Sequence, residues 1–287
     1  MPSSIRTYSF KSPVFPDELR HIAQPPRALF GLGAELHILQ EHPKVAIVGS
    51  RMPTAYGKQV TQKLAGELAR AGVVILSGLA LGVDSLAHQA ALEVGGRTVA
   101  ILPADLNHIY PHRHTELARR IVQNGGMLLS EYENCSRPHK SHFIARNRII
   151  AALADIVIVT EAALKSGSLH TAQFALEQGR EVMAVPGLIT NPLAAGCNNL
   201  LRSGAAIATD SRDVLRLLGL DVPQTRLPVG DTPQQQAIIT ALAQGAHDGA
   251  ELLAHTKLDT SEFSQALTLL EVQGQVRPLG NNQWGLI

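Results

Sequence analysis

The sequence lacks the features that mark several large classes of protein. It contains only two cysteines, far apart and outside any CxxC spacing, which excludes a disulfide framework and a cysteine-rich zinc site. No apolar run approaches the length of a membrane helix, and the first residues show no apolar signal-peptide core. We therefore expect a cytoplasmic protein with no membrane partner, no metal and no cofactor.

An excess of charge of one sign is also missing. The formal net charge of the 287 residues is +1, which excludes a polybasic tail protein. A local basic patch is still compatible with a neutral whole, so nucleic-acid binding stays open. Aromatic residues make up only 4% of the chain, so each ring beside a charge cluster is informative.

The sequence does contain short apolar runs that alternate with helical segments. Continuous apolar runs indicate strands that are buried on both faces of a parallel sheet. The predicted strands are 45–48, 73–76, 98–102, 127–129, 156–159, 182–185 and a weaker 205–208. The predicted helices are 57–71, 84–94, 115–124, 147–154, 168–178 and 211–218. We predict an α/β fold with an extended, doubly wound, mostly parallel Rossmann-like sheet.

Composition divides the chain into four segments. Residues 1–43 are a short leader interrupted by prolines, and 44–221 are the Rossmann-like domain. Residues 222–233, rich in Pro, Thr and Gln, are predicted to be a linker. Residues 234–287 contain three helical stretches and two short strands around a Gly-Asn-Asn turn, which predicts a small C-terminal winged-helix-like domain.

Three segments follow predicted strands and are rich in small residues or hydroxyls. They are Gly49-Ser50-Arg51, residues 77–82 and Ser166-Gly167-Ser168. Ligands of open parallel sheets bind beyond the carboxyl ends of the strands, where helix N-termini attract anions. For any one segment, glycines that serve tight turns explain the pattern equally well. Three such segments at one edge favour a phosphate-binding site.

Arg146-Asn147-Arg148 follows Phe143 and precedes an apolar run, so we predict that it opens a helix. Arginine forks match phosphate oxygens, and rings and guanidinium planes stack on exposed bases. Arg51, in a strand-end loop, is a second candidate for phosphate contact. For 139–143, a DNA-binding segment and a solvated loop with Phe143 in the core are equally good interpretations. The residues predict a polyanion partner.

A series of motifs runs along the chain in a specific order and spacing. They are Ile47-Val48-Gly49-Ser50-Arg51, Ser77-Gly78-Leu79-Ala80, Gly82-Val83-Asp84, Ile109-Tyr110-Pro111, Ala145-Arg146-Asn147-Arg148, Ser166-Gly167-Ser168-Leu169, Ala184-Val185-Pro186-Gly187 and Gly196-Cys197-Asn198. On these motifs the chain, from about Pro25 to Leu220, resembles the DNA-processing protein A family, also called Smf.

The resemblance implies a Rossmann-like homodimer that binds single-stranded DNA, protects it, and helps to load the RecA recombinase during natural transformation. It implies DNA contacts at Arg51, at Phe143, and at a basic position that is either His139 or Lys140. The chain departs from the family at Leu81, where a basic residue is usual, and at 103–106, where a Gly-rich turn is usual.

Arg146 and Arg148 match the family's Arg-Asn-Arg. We expect one of them to face DNA and the other to brace the loop against Glu131 or Glu161. The predicted DNA-binding set is Gly49, Ser50, Arg51, His139, Lys140, Phe143, Arg146, Arg148, Ser166, Gly167 and Ser168.

Two other functions compete with DNA binding. Related Rossmann-like phosphoribohydrolases carry Gly-Gly-x-Gly-Thr-x-x-Glu, and this chain keeps Thr171 but has Phe174 where the catalytic carboxylate stands. Loss of a general acid/base group costs a factor of roughly 100 to 10,000, so we predict no enzyme activity. The other alternative is an interaction scaffold whose sheet edge binds nothing.

The C-terminal segment differs in charge from the rest. Residues 222–287 carry three basic and six acidic side chains, and the predicted recognition helix contains Glu262 and Glu271 but no Lys or Arg. DNA phosphates would repel such a helix. We therefore predict that the winged helix contacts a protein or supports a dimer.

Overall fold

The computed structural model describes residues 4–133, 135, 137–220 and 228–286. The chain divides into two compact units, Met1–Val222 and Pro223–Ile287. Part of the predicted linker, 222–227, lies outside the described residues. Within the described ranges, no helix is both long enough and apolar enough to span a membrane.

The first unit contains, in its described part, a single sheet of nine strands. The strands are β1 Arg6–Ser9, β2 Ala28–Gly33, β3 Lys44–Val48, β4 Val74–Ser77, β5 Thr98–Leu102, β6 Met127–Ser130, β7 Ile156–Val159, β8 Glu181–Ala184 and β9 Ala206–Ile207. Their order is β1-β2-β6-β5-β4-β3-β7-β8-β9. The strands from β6 to β9 in this order are parallel, whereas β2 pairs antiparallel with both β6 and β1.

Helices cover both faces of this sheet. They are α1 Asp17–Arg20, α2 Ala55–Arg70, α3 Val83–Glu93, α4 Thr115–Gln123, α5 Lys140–Leu153, α6 Ser168–Glu177, α7 Ala195–Arg202 and α8 Ser211–Leu217. In β3, Val45 and Ile47 pack with α2 and α3, whereas Ala46 and Val48 pack with α5 and α6. Burial on both faces explains the continuous apolar runs of the sequence. The predicted doubly wound α/β class is confirmed.

The sequence prediction assigned no element to residues 1–43, and this is corrected by β1, α1 and β2. Strand β2 joins the sheet with Leu29, Phe30 and Leu32 buried. Its two glycines and the prolines around it lower β propensity, so tertiary pairing overrides the local signal. Helix α7 was also missed, and α5 begins at Lys140 and not at 147.

The second unit consists of α9 Pro233–Ala243, α10 Gly249–Thr256, α11 Thr260–Val272 and a hairpin of β10 Val276–Gly280 and β11 Gln283–Leu286. Thr232, Asp248 and Asp259 cap the three helices by accepting backbone N–H groups. Ile238, Leu252 and Leu270 are fully buried in its core. The predicted winged-helix-like architecture is confirmed, and two of its acidic residues serve as helix caps.

Candidate nucleic-acid interface

The winding direction of the parallel strands changes at the middle of the sheet. From β3 the chain proceeds through β4 and β5 to β6 on one side, and it then returns to β7, β8 and β9 on the other side. The loops after β3 and β7 therefore diverge at the carboxyl edge and leave a crevice, which is where ligands of doubly wound sheets bind.

A cleft of about 520 Å³ occupies this crevice. Its walls come from the loop after β3, the loop between β4 and α3, the first turns of α5 and the start of α6. The predicted contact residues that line it are Gly49, Arg51, Lys140, Phe143, Arg146, Ser166, Gly167 and Ser168. Ser50, His139 and Arg148 do not line it.

Arg51 and Phe143 form a pair of a cation and an aromatic ring in this cleft. The guanidinium carbon of Arg51 lies 5.4 Å from the centroid of the Phe143 ring, a cation–π arrangement. The Arg51 side chain is exposed, and among the described residues it forms no ion pair. This cation is therefore available to an anion from outside the chain.

The loop that carries Arg51 is fixed by its backbone. The Ser50 N–H donates to the Glu161 carbonyl at 2.7 Å, and the Val83 N–H donates to the Ser50 carbonyl at 3.1 Å. Gly82 has φ of +79°, and a Cβ there would clash with the Ser50 carbonyl oxygen. The loops after β3, β4 and β7 thus interlock, and this interlocking sets the position of Arg51.

Glu161 is buried and belongs to the same framework. Its carboxylate accepts the Thr54 N–H at 3.0 Å and the Thr54 hydroxyl at 2.5 Å. The Thr54 oxygen in turn accepts the Gly57 N–H at 3.2 Å, which caps α2. Glu161 is therefore committed to the α2 N-terminus and does not pair with Arg148.

Arg146 lies inside α5, so the prediction that Arg146-Asn147-Arg148 opens a helix is wrong. The first turns of this helix were not predicted, because residues 140–145 are mostly polar or aromatic and do not continue the apolar run. The Arg146 guanidinium is buried and donates to the carbonyl oxygens of Gly78, at 2.6 Å, and Ile101. It forms part of the cleft floor and holds the loop after β4.

Asp84 supports the same loop from α3. Its carboxylate accepts the N–H groups of Gly78 at 3.0 Å and Ala80 at 3.3 Å. Burial raises the pKa of Asp84, and nearby Arg146 opposes that rise. Burial likewise lowers the pKa of Arg146 to about 10, and Asp84 opposes that fall. Both groups therefore act within the protein framework and are not free surface charges.

Arg148 points to a different part of the molecule. Its Nη2 donates to Glu131 Oε2 at 2.5 Å. Of the two carboxylates predicted as alternative partners, Glu131 and Glu161, it is therefore Glu131 that pairs with Arg148. Both side chains are largely buried, and Arg148 lines a separate groove that also contains Phe174. The two arginines of the motif thus have different neighbours.

The segment Ser166-Gly167-Ser168 leads into the N-terminus of α6. The two serine hydroxyls lie 2.8 Å apart, and the Asn147 amide donates to the Gly167 carbonyl at 3.2 Å. A Cβ on Gly167 would meet no atom within 4 Å, and its φ is −61°. Neither packing nor a left-handed turn requires glycine here, which favours close approach of a ligand.

His139 and Lys140 were the two candidates for one basic contact. Lys140 is the first residue of α5, is exposed, and lines the cleft. His139 precedes the helix, and its ring lies 5.5 Å from that of His142, outside the cleft lining. The geometry brings Lys140, and not His139, to the cleft.

Sequence reasoning missed one aromatic residue of the cleft. Tyr110 lines it, with its ring centroid 5.4 Å from that of Phe143 and an interplanar angle of 73°. The Tyr-Pro motif appeared in the resemblance but was given no contact role. The sequence offered one signal, a tyrosine in a chain with few aromatics. That its ring is exposed and lines the cleft is evident only from the structure.

The fold and the cleft define a doubly wound α/β protein with a cleft at its switch point that is lined by exposed cations and aromatic rings, joined in sequence to a winged helix. The chain belongs to the DNA recombination-mediator protein A family. The model of that family matches residues 6–219, and that of the DprA winged helix domain matches residues 222–282.

Known relatives agree with this assignment. The chain is 43% identical to the DNA processing protein DprA of Bacillus subtilis, over 75% of this chain and 71% of that protein. It is 45% identical to the protein Smf of Escherichia coli, over 72% of this chain and 55% of that protein, so it spans about half of that relative. A solved structure of Helicobacter pylori DNA processing protein A, described for its single-stranded DNA binding mode, is 37% identical to this chain with a TM-score of 0.67. The match covers 76% of this chain and 98% of that one.

Proposed function

We propose that this chain binds single-stranded DNA in the cleft at the switch point, contacting it through Arg51, Lys140, Phe143 and the 166–168 turn. The single-stranded DNA binding described for the Helicobacter pylori relative supports this proposal. The combination of exposed cations, aromatic rings and hydroxyls in the cleft also supports it, because proteins hold single strands through charges along the backbone and rings that stack on the bases.

The observation that carries the proposal is the Arg51–Phe143 pair. An exposed guanidinium without a counter-ion among the described residues lies over a ring that lines the cleft. A phosphate on Arg51 places the neighbouring base within reach of the ring.

We propose that the site binds without catalysing a reaction. The carboxylates around it are committed: Asp84 to the 78–80 backbone, Glu161 to Thr54, and Glu131 to Arg148. Phe174, at the position of the hydrolase carboxylate, packs against the core and lines another groove. No described carboxylate is therefore positioned as a free general acid or base, which supports binding over hydrolysis.

A titration of labelled oligo-dT at several salt concentrations tests this function. If about four phosphates are neutralised at about 0.7 each, the logarithm of affinity falls with the logarithm of salt concentration at a slope of about −3. No binding at low salt would favour the interaction scaffold. Release of free base from nucleoside monophosphates, abolished by substitution in the cleft, would favour the hydrolase.

The wider role follows from family membership and is part of the proposal. We propose that the chain acts as a cytoplasmic homodimer, protects incoming single strands and helps to load a RecA recombinase during transformation or recombination. Nuclease protection of bound oligonucleotides tests the first activity. Faster assembly of RecA filaments in the presence of the chain tests the second, and an unchanged rate would contradict it.

The winged helix has a separate proposed role, in contacts with protein or in support of a dimer. Glu262 and Glu271 lie on α11, the predicted recognition helix, which has no basic residue. Phosphate repulsion opposes insertion of this helix into a groove. Residues 223–287 alone should therefore not bind duplex DNA at physiological salt, and measurable binding would contradict this role.

A further inference from the structure

The wall of the cleft contains two aromatic rings from distant parts of the chain. Phe143 belongs to α5, whereas Tyr110 belongs to the loop between β5 and α4. The side chain of Tyr110 is 45% exposed, so it offers a ring surface to a ligand while its edge-to-face contact with Phe143 holds it. Arg51, Phe143 and Tyr110 therefore form a continuous row along the cleft.

The Tyr110 loop is anchored before any ligand binds. His114, four residues further on, donates through Nδ1 to the carbonyl oxygen of Leu79 at 2.8 Å. Leu79 lies between Gly78 and Ala80, whose N–H groups bond to Asp84. The loop that carries Tyr110 is thus attached to the cleft floor, and its ring rests against Phe143. A preorganised ring loses little entropy when a base stacks on it.

On the basis of the proposed DNA-binding function, we propose that Tyr110 is a second base-stacking platform beside Phe143, so that the cleft holds two neighbouring bases of a single strand. The two ring planes lie at 73° to each other. Bases stacked on these rings are also steeply inclined, so they do not stack on one another. The strand is unstacked and bent at this point, with a phosphate on Arg51.

Fluorescence anisotropy with labelled oligo-dT and with an abasic oligomer of the same length tests this assignment. Tyr110→Ala should weaken binding of oligo-dT by about 5- to 150-fold, the range for loss of one stacked base. Tyr110→Phe should retain the affinity, because stacking uses the ring. Binding of the abasic oligomer should be the same for Tyr110→Ala and the unsubstituted chain.

Two controls separate stacking from support of the fold. Tyr56 is 49% exposed and does not line the cleft, so Tyr56→Ala should bind as the unsubstituted chain does. If Tyr110 acts independently of Phe143, the fold-losses of Tyr110→Ala and Phe143→Ala multiply in the double variant. A double variant no weaker than Phe143→Ala would mean that Tyr110 only positions Phe143, and would overturn the proposal.

Three further outcomes separate the stacking role of Tyr110 from the proposed DNA-binding function. If Tyr110→Ala binds oligo-dT as tightly as the unsubstituted chain does, the platform is overturned and the proposed function is left intact. A loss for Tyr110→Ala that persists on the abasic oligomer would assign Tyr110 to backbone contact or to folding. Absence of oligo-dT binding by the unsubstituted chain would reject the proposed function, and the platform with it.

Discussion

Nη2 of Arg148 lies 2.5 Å from Oε2 of Glu131, while Nε and Nη1 of the same guanidinium have no partner among the described residues. Arg146, two positions away, holds two backbone carbonyls at the cleft floor. One short motif therefore performs two structural tasks on different sides of α5.

This division predicts different effects for the two arginines. Arg148→Ala leaves Glu131 largely buried without its partner and should cost about 3–5 kcal/mol of unfolding free energy. The folded fraction should still bind oligo-dT with nearly unchanged affinity. Arg146→Ala should lower both stability and affinity, because it releases the loop that positions the cleft floor. Urea denaturation and anisotropy measure the two effects, and equal losses of affinity at equal stability would contradict the division.

Gly82 provides a test of loop interlocking. Gly82→Ala combines a strained φ of +79° with a clash against Ser50, so it should displace Arg51 and weaken oligo-dT binding. Gly95 is the matched control on the other end of α3, since its φ is +72° and a Cβ there meets nothing within 4 Å. Gly95→Ala should reduce the thermal midpoint modestly and leave affinity unchanged. Similar affinity losses in both variants would show that strain alone is responsible.

The burial of His88 makes the stability of the fold depend on pH. Its Nδ1 lies 2.6 Å from the hydroxyl of Thr98, which itself donates to the Ile75 carbonyl, so the imidazole is the donor. Its Nε2 has no partner among the described residues. Burial, together with the nearby His114 and Arg146, lowers the pKa of His88 from an ordinary value of 6.5 to about 3.

The unfolded chain therefore binds one more proton at this site between about pH 6.5 and about 3, so His88 reduces stability as the pH falls through that range. Urea midpoints measured from pH 7.5 to 5 should decrease more for the unsubstituted chain than for His88→Gln. Parallel decreases in the two proteins would assign the acid sensitivity to other groups.

Arg51 should contribute one phosphate contact to the binding of oligo-dT. Arg51→Ala should weaken oligo-dT binding and reduce the magnitude of the salt slope by about 0.7, the share of one phosphate. Lys58, exposed on α2 but absent from the cleft lining, is the matched control. Lys58→Ala should leave the slope unchanged. A slope unaltered by Arg51→Ala would remove Arg51 from the phosphate contacts.

Much of the architecture could be predicted from local sequence. The buried strands β3 to β8 are continuous apolar runs, and the capped helices of the second unit follow Thr232, Asp248 and Asp259. Strands β1 and β2 could not be predicted in the same way. Strand β2 is stabilised by pairing with β6, and β1 by pairing with β2, and neither by its own propensity.

The parts of the candidate site that directly follow a strand could be predicted from the sequence. The switch-point rule places Arg51 and the 166–168 turn at one edge without coordinates. Whether an arginine is exposed or committed to internal carbonyls depends on packing between α5 and the loop after β4, which no local pattern reports. The cleft therefore includes Tyr110 and excludes Arg148, and only the three-dimensional arrangement reveals either fact.

Ultraviolet cross-linking can locate single-stranded DNA, which we propose lies in the cleft at the switch point. The full chain is cross-linked to 5-iodouracil-substituted oligo-dT, and the digested complex is analysed by mass spectrometry. The expected cross-links fall on Phe143 or Tyr110 and disappear in the presence of excess unsubstituted oligo-dT. Cross-links confined to residues 228–286, or to the groove around Phe174, would contradict this placement of the DNA.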